Sequence, residues 1–347
     1  MSRDIKIGLC GLGSIGKAAA RLLIDHRSGF SLVGAITKAP EDIGHTLGEV
    51  VGSSRASDIV VGSELDELLA LQPDIVVYAT GSFLKETADD VIACTSAGVN
   101  VVSPCEELAF PFLRDADASA RIDAAARSRG VTVLGTGVNP GFIFDTFLIA
   151  ASGCSWDVES ITGRRVVDVA GFGQNIHRRL GIGYTPEEFE AGHRQGTIAG
   201  HVGFPESVQL VAERLGLTLD TPVKEVFDPF VAETPVHTTY GDLAAGLTEG
   251  FVQRASGTVN GAEMIAFELV LHLRPAEAGM EASDSFTIHG SHPVSVTLRP
   301  GMDAIPATSA QLVNSIPGVL NAAAGLKTVK DLPSASAWTS LERTMWR

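Results

Sequence analysis

A chain of 347 residues exceeds what one ordinary core holds, and a prior of roughly 100–200 residues per domain predicts two domains. Its 45% hydrophobic and 19% charged residues describe a compact globular protein and exclude a disordered one. Lysines and arginines number 26 against 41 aspartates and glutamates, and the net charge of −15 repels nucleic-acid phosphates and anionic membranes, leaving small molecules as the expected partners.

Ile5–Cys10 is a continuous apolar strand and Ile15–Ile24 has helical periodicity, so the glycines between them stand on a strand-to-helix turn. Leu32–Ile36, Ile75–Ala79, Val99–Val102 and Val131–Leu134 are further buried strands, alternating with helices such as Glu86–Ala97 and Arg114–Arg129. That alternation is the mark of parallel βαβ units, a Rossmann-type α/β domain ending near Gly141. Beyond it, Val158–Val169, Glu249–Leu273 and Ser285–Leu298 are rich in Val, Ile, Thr and Phe and predict an α+β domain with a mainly antiparallel sheet. Between them Pro186–Gly196 and Phe204–Leu215 are helical, the first opened by Thr185-Pro186-Glu187-Glu188, a cap, an N1 proline and an acidic turn. A last helix, Pro306–Ala324, is expected to return to the first domain. The expected division is therefore 1–141 completed by 302–347, with 142–301 as the substrate-binding and dimerisation domain.

Gly11-Leu12-Gly13-Ser14-Ile15-Gly16 fits GxGxxG: the first glycine makes the turn, the second admits a pyrophosphate, and the third lets helix and strand pack closely. The second strand runs into Thr37-Lys38 with no carboxylate at its end for a ribose 2′-hydroxyl. A hydroxyl and an ammonium suit a 2′-phosphate, so NADP(H) is the expected cofactor, with NAD(H) left open through Glu41 and Asp42. Thr80-Gly81-Ser82, after the Ile75–Ala79 strand, is placed to line the nicotinamide ribose. Asn139 is counted with the cofactor residues.

Ser103-Pro104-Cys105-Glu106-Glu107-Leu108 puts two carboxylates at another strand's carboxyl end, and Gly135–Phe142 is a Gly/Pro-rich crossing suited to a hinge or cleft wall. Cys105–Leu108, Gly137-Val138-Asn139-Pro140-Gly141-Phe142, Gly181–Phe189, His201–Ser207 and the end segment Ala307-Thr308, Asn314, Ile316-Pro317 and Asp331-Leu332-Pro333 follow one another in order. Together they resemble the native amine dehydrogenase and 2,4-diaminopentanoate dehydrogenase group of the dihydrodipicolinate reductase-like superfamily, over nearly the full chain. The paired-histidine-then-lysine motif and PSGT-like loop of true dihydrodipicolinate reductases are missing.

The resemblance implies reductive amination of a ketone or aldehyde with ammonia and NAD(P)H, and its reverse, with a glutamate orienting ammonia and the iminium. Both Glu107 and Glu106 match, and Glu107 is taken first. An anion beside a developing iminium stabilises its charge, and no metal is needed. Val138, Phe142 and Phe144 read as an apolar substrate wall, favouring a plain amine or ketone. A diamino acid, the alternative substrate, would need a cation for its carboxylate, for which Arg165, Arg164 and His177 are candidates. A regulator that senses NADP(H) without turnover is the reading from another class.

His289 and His292 flank a turn between strands, with no third ligand at useful spacing for a metal. Cys10, Cys94, Cys105 and Cys154 show no CxxC spacing and are expected as reduced thiols. Without a signal-peptide pattern or an apolar run of about 20 residues, a soluble cytoplasmic protein is expected. The long strands of the second domain are expected to build a homodimer.

Overall fold

The computed structural model describes residues 3–337. In chain order the elements are β1 (Ile5–Cys10), α1 (Ser14–His26), β2 (Phe30–Ile36), α2 (Leu47–Val51), α3 (Leu65–Ala70), β3 (Ile75–Tyr78), α4 (Leu84–Ser96), β4 (Asn100–Ser103), α5 (Ala116–Arg129), β5 (Thr132–Gly135) and α6 (Phe147–Ser152). There follow β6 (Ser160–Asp168), α7 (Gln174–Arg179), α8 (Pro186–Gln195), α9 (Phe204–Arg214), β7 (Lys224–Val231), β8 (Val236–Thr238), β9 (Gly241–Leu243), β10 (Thr248–Val259), β11 (Ala262–His272), β12 (Ser283–His289), β13 (Val294–Leu298), α10 (Ala304–Asn321) and β14 (Gly325–Lys327). The chain divides into one compact unit that runs to Thr146 and resumes at Ala304, and a second that spans Phe147–Asp303.

The first unit holds a six-stranded sheet in the order β14-β5-β4-β3-β1-β2, parallel throughout. Successive side chains of a strand point to opposite faces, and here both faces are apolar. Val76 and Tyr78 of β3, Val101 of β4 and Val133 of β5 join α4 and α5 through Leu84, Val91, Ile122 and Ala126. Ile75 and Val77, Val102 and Leu134, the alternate residues of the same strands, join α1 and α10 through Ala19, Leu23, Leu312 and Ile316. A Rossmann-type sheet follows from that double burial. The returning helix α10 packs against α1, and the short β14, absent from the sequence reading, extends the sheet beyond β5.

Each connection in this unit has a local cause. Asp115 caps α5 at Ala118 N–H, and Gly130 ends it in the left-handed conformation that glycine adopts without a Cβ penalty. The helix therefore starts at Ala116, and Arg114 lies before it rather than inside it. A cation at a helix N-terminus opposes the dipole, which was the available sign in the sequence.

The second unit carries a six-stranded sheet ordered β13-β12-β6-β11-β10-β7, antiparallel except for β6 beside β11. Two of its long apolar stretches fold as hairpins, β10 with β11 around Asn260-Gly261 and β12 with β13 around the Gly290–His292 turn. One face is covered: Phe204 of α9 lies 6.1 Å from Phe267, Phe189 of α8 lies 5.7 Å from Phe251, and Phe147 stands edge-on to Phe286. α8 has the predicted start, with a capping box between Thr185 and Glu188. The strand β7 and the small hairpin β8–β9 were not foreseen; β7 carries Pro229 and has no period-two alternation of charged and apolar residues, a weak strand signal that its edge position accommodates. Among the described residues no helix is long and apolar enough to cross a membrane.

Gly135, at the end of β5, is pressed against the backbone of the turn Glu106–Ala109: a Cβ there would run into the carbonyl group of Leu108. Gly135→Ala is expected to destabilise the fold by about 1–3 kcal/mol, an overpacking cost, and to displace that turn. Thermal unfolding checks it: Tm should fall by several degrees, whereas Gly171→Ala, whose Cβ meets no atom within 4 Å, should leave Tm unchanged.

Candidate active site

All strands of the first sheet are parallel, so their carboxyl ends share one edge. From that edge leave the glycine turn after β1, Thr37-Lys38 after β2, Thr80-Gly81 after β3, Glu106-Glu107 after β4 and the Thr136–Gly141 segment after β5. The order β2-β1-β3 makes β1/β3 the point where connections diverge to opposite sides, the place where open α/β sheets bind ligands.

The three glycines of the turn have three separate reasons. Gly11 has φ +91° and packs on the Ala79 carbonyl, and Gly16 packs on the Gly11 carbonyl, so a side chain at either would strike backbone. Gly13 differs: a Cβ there meets nothing within 4 Å. The protein itself does not require a glycine at 13, whereas a ligand approaching the backbone would. Gly13 caps α1 with no side-chain hydrogen bond, and the helix has no acidic residue in its first turn, so its positive end is left for an anion. Ser14 at that end is exposed and Ile15 is half-buried.

Beyond β2, Thr37 is buried and its hydroxyl accepts from Ala39 N–H at 3.2 Å, fixing the turn that presents exposed Lys38. Asp42, an acid the sequence left open for a ribose, is only 8% exposed and lies 2.8 Å from Lys17 Nζ. Lys17 directly follows Gly16, so this pair clamps the loop after β2 to α1. Glu41 is exposed. Thr80 is exposed and Gly81 half-buried on the β3–α4 connection.

Glu107 is tied into that same connection. Its Oε2 accepts from Leu84 N–H at 2.7 Å at the start of α4, its own N–H donates to the Ser82 carbonyl at 3.2 Å, and its Oε1 lies 3.5 Å from Arg114 Nε. Arg114, whose role the sequence reading missed, thus helps to hold a predicted site residue. Glu106 precedes it on the same turn and is likewise half-buried. Ser103 supports the turn from below, donating to the Tyr78 carbonyl at 2.7 Å and accepting from Cys105 N–H at 3.1 Å. Burial pushes the Cys105 thiol up to about 12, so it is protonated and not a nucleophile near neutral pH. Cys10 and Cys94 are pushed up to about 12 by the same cause.

After β5, Val138 N–H donates to the Thr308 hydroxyl of α10 at 3.2 Å, and Gly141 N–H to the Asp145 carboxylate at 2.7 Å. Asn139 and Phe142 are half-buried, while Val138 is buried and Phe144 is 0% exposed, a core position. Thr308 carries no local signal of this role, since only the return of α10 brings it there.

Arg165 belongs to the second unit. It is 3% exposed, with Nε 3.2 Å from Asp284 Oδ1 and a further bond to the Met302 carbonyl. Burial lowers its pKa, and Asp284 and Asp303 oppose that shift. A guanidinium so committed holds the β6–β12 pairing together. Arg164 is paired with Glu268 at 2.7 Å, and the His177 ring bonds the Val169 carbonyl at 2.7 Å. His289 ends β12, and its ring meets the Thr162 hydroxyl at 3.1 Å, while the His292 ring lies against Trp156 at 4.2 Å. Among the described residues no group of three His, Cys, Asp or Glu stands ready for a metal ion.

Comparison with known proteins places the chain in a family. The profile of 2,4-diaminopentanoate dehydrogenase C-terminal domains matches residues 142–347. The chain is 33% identical over 331 residues to the 2,4-diaminopentanoate dehydrogenase of Acetoanaerobium sticklandii, covering 95% of this chain and 93% of that protein. It is 26% identical to an amine dehydrogenase of Streptomyces virginiae over 96% of this chain and 97% of that one. The solved amine dehydrogenase of Mycobacterium smegmatis superposes with a TM-score of 0.86 at 26% identity, covering 96% and 98% of the two chains. On a family profile that spans more than half of its length and kinship over nearly all of it, the chain belongs to the family of 2,4-diaminopentanoate and amine dehydrogenases, oxidoreductases that act on amine donors.

Proposed function

We propose that the chain is an NAD(P)H-dependent amine dehydrogenase: a small ketone or aldehyde, ammonia, NAD(P)H and a proton give a primary amine, water and NAD(P)+, and the reverse. The observation that carries this reading is a fixed carboxylate, Glu107, on the turn that faces the same sheet edge as an open glycine turn. The nicotinamide supplies hydride; the protein contributes position and field. The first turn of α1 and the bare Gly13 would hold the pyrophosphate, with Ser14 and Ile15 beside it, and Thr80, Gly81 and Asn139 the nicotinamide half.

Glu107, with Glu106 beside it, orients ammonia for attack on the carbonyl, takes a proton from the attacking nitrogen, gives a proton to the carbinolamine hydroxyl as it leaves as water, and as the carboxylate stabilises the iminium before hydride arrives. Leu84 N–H and Arg114 keep the Glu107 carboxylate in one place, so little reorganisation accompanies the charge that develops. Val138 and Phe142 supply the apolar wall, and Phe144 supports it from the core. A plain amine fits better than a diamino acid because Arg165, Arg164 and His177 all have partners inside their own unit. Arg165 is thereby proposed as a support of the second unit rather than a carboxylate clamp. Kinship with dehydrogenases along the full chain speaks against a sensor without turnover.

NADP(H) is the proposed coenzyme, with NAD(H) used less well. Lys38 is exposed beside Thr37, and Asp42 is engaged by Lys17. We also propose a cytoplasmic homodimer, with 142–301 as the substrate-binding and dimerising part and the segment from 302 completing the cofactor domain; the 338–347 part of that expected segment lies outside the described residues.

NADPH and NADH oxidation at 340 nm with cyclohexanone, short aldehydes and 2-oxo acids tests the reading: consumption should require ammonium, and consumption without it would mean ketone reduction instead. Glu107→Gln should lower kcat by about 10²–10⁴ with cofactor binding retained, as expected for a lost acid–base group. If Glu106→Gln has that effect and Glu107→Gln only lowers Tm, the roles are reversed. Lys38→Ala should raise KM for NADPH about tenfold or more, the value of one charge-assisted bond, and leave KM for NADH nearly unchanged; an equal rise for both would remove Lys38 from the 2′-phosphate.

A further inference from the structure

The loop after β2 hides one acid. From Lys38 to His45 the residues are exposed except for half-buried Ala39 and buried Asp42. Two anchors hold the loop, Thr37 N–H on the Gly62 carbonyl at 3.0 Å and Gly44 N–H on the Val61 carbonyl at 2.9 Å. Between them Asp42 N–H donates to the Ala39 carbonyl at 3.1 Å, closing a tight turn directly after Lys38. The Asp42 carboxylate and the Lys38 ammonium therefore belong to one short, fixed loop. Lys17 meets that carboxylate, with Nζ 3.1 Å from Oδ1 and 2.8 Å from Oδ2.

Lys17 stands in the first turn of α1, and its N–H donates to the Gly13 carbonyl at 2.9 Å. A cation there opposes the helix dipole, so its place needs another reason, and Asp42 provides one. The side chains of the pair are 35% and 12% exposed, so water and salt screen them incompletely, and removing the cation strands a carboxylate. The two coenzymes would respond to such a stranded charge in opposite ways. A 2′-phosphate carries a charge of about −1.5 to −2 near neutral pH and is repelled by a carboxylate. A ribose 2′-hydroxyl is neutral and donates a hydrogen bond to one.

We propose that Lys17 determines coenzyme choice by acting through Asp42. Its ammonium cancels the one buried carboxylate of the loop, which leaves the charge of Lys38 uncompensated for a 2′-phosphate and withdraws an acid that a ribose 2′-hydroxyl would use. Lys17 is a positioning residue in this scheme and needs no contact with the coenzyme. Because it leaves the turn that Gly13 begins, it also ties the helix start proposed for the pyrophosphate to the loop proposed for the 2′-phosphate. The inference rests on the NADP(H) reading above and deepens it by naming the pair that sets the preference.

Its test is the Kd of each coenzyme, read from the fluorescence of NADPH or NADH titrated with the full chain, with circular dichroism to confirm folding; the readout does not depend on amination. Wild type should bind NADPH more tightly than NADH. Lys17→Met should weaken NADPH about tenfold, and NADH by no more than about twofold, as a stranded charge acts on the phosphate and not on the hydroxyl. Lys17→Met combined with Asp42→Asn removes the stranded charge and should return NADPH to within about threefold of wild type. Asp42→Asn by itself strands no carboxylate and should keep the preference for NADPH, so that the inference stays testable even where Lys17→Met fails to fold. A double variant as weak as Lys17→Met overturns the action through Asp42 and makes Lys17 a direct contact of the phosphate. Equal losses of both coenzymes in Lys17→Met, no loss at all, or a switch to NADH in Asp42→Asn overturn it as well, each with the NADP(H) reading still standing. A wild type that prefers NADH overturns both.

Discussion

A parallel sheet has to be covered on both faces, because each crossover carries the chain over one face or the other, and most of the first unit follows from that constraint. Val76, Val101 and Val133 serve one core while Val77, Val102 and Leu134 serve the other, so the central strands β3, β4 and β5 bury apolar side chains on both faces. Because the strands all run one way, every connection that leaves a carboxyl end emerges at the same edge. Residues as distant in sequence as Gly13, Lys38, Thr80, Glu107 and Asn139 are gathered there by topology.

The edge is stiffened by backbone as much as by side chains. Gly135 is pressed onto the Leu108 carbonyl, Ser103 bonds the Tyr78 carbonyl, and Glu107 bonds the first free N–H of α4. A carboxylate anchored to a helix start and to Arg114 has few places to go, which suits the role proposed for it. The neighbouring thiol of Cys105 is kept protonated by its burial.

The second unit obeys a different rule. An antiparallel-rich sheet needs only one covered face, and α8 and α9 provide it, leaving a side on which charge and small residues replace apolar bulk. Arg165 points to the covered side and is neutralised by Asp284; its neighbour Arg164 points to the other and pairs with Glu268. One step along a strand thus separates a buried support from a surface group.

Local pattern determined much of this protein. The apolar runs of β1 and β3, the GxGxxG turn, the Thr185–Glu188 cap and the carboxylates after β4 were legible because each depends on neighbours within a few residues. Short-range signals failed where long-range contacts decide. β14 is three residues long and exists because β5 offers a ladder; Asp42 is engaged because Lys17 reaches it; Arg165 is paired because Asp284 lies on the adjoining strand. Residue types and spacing fixed which groups were present and which elements carried them. Only tertiary packing decided which charges were already paired, since pairing depends on distance in space and on burial, and neither is written in the order of the residues.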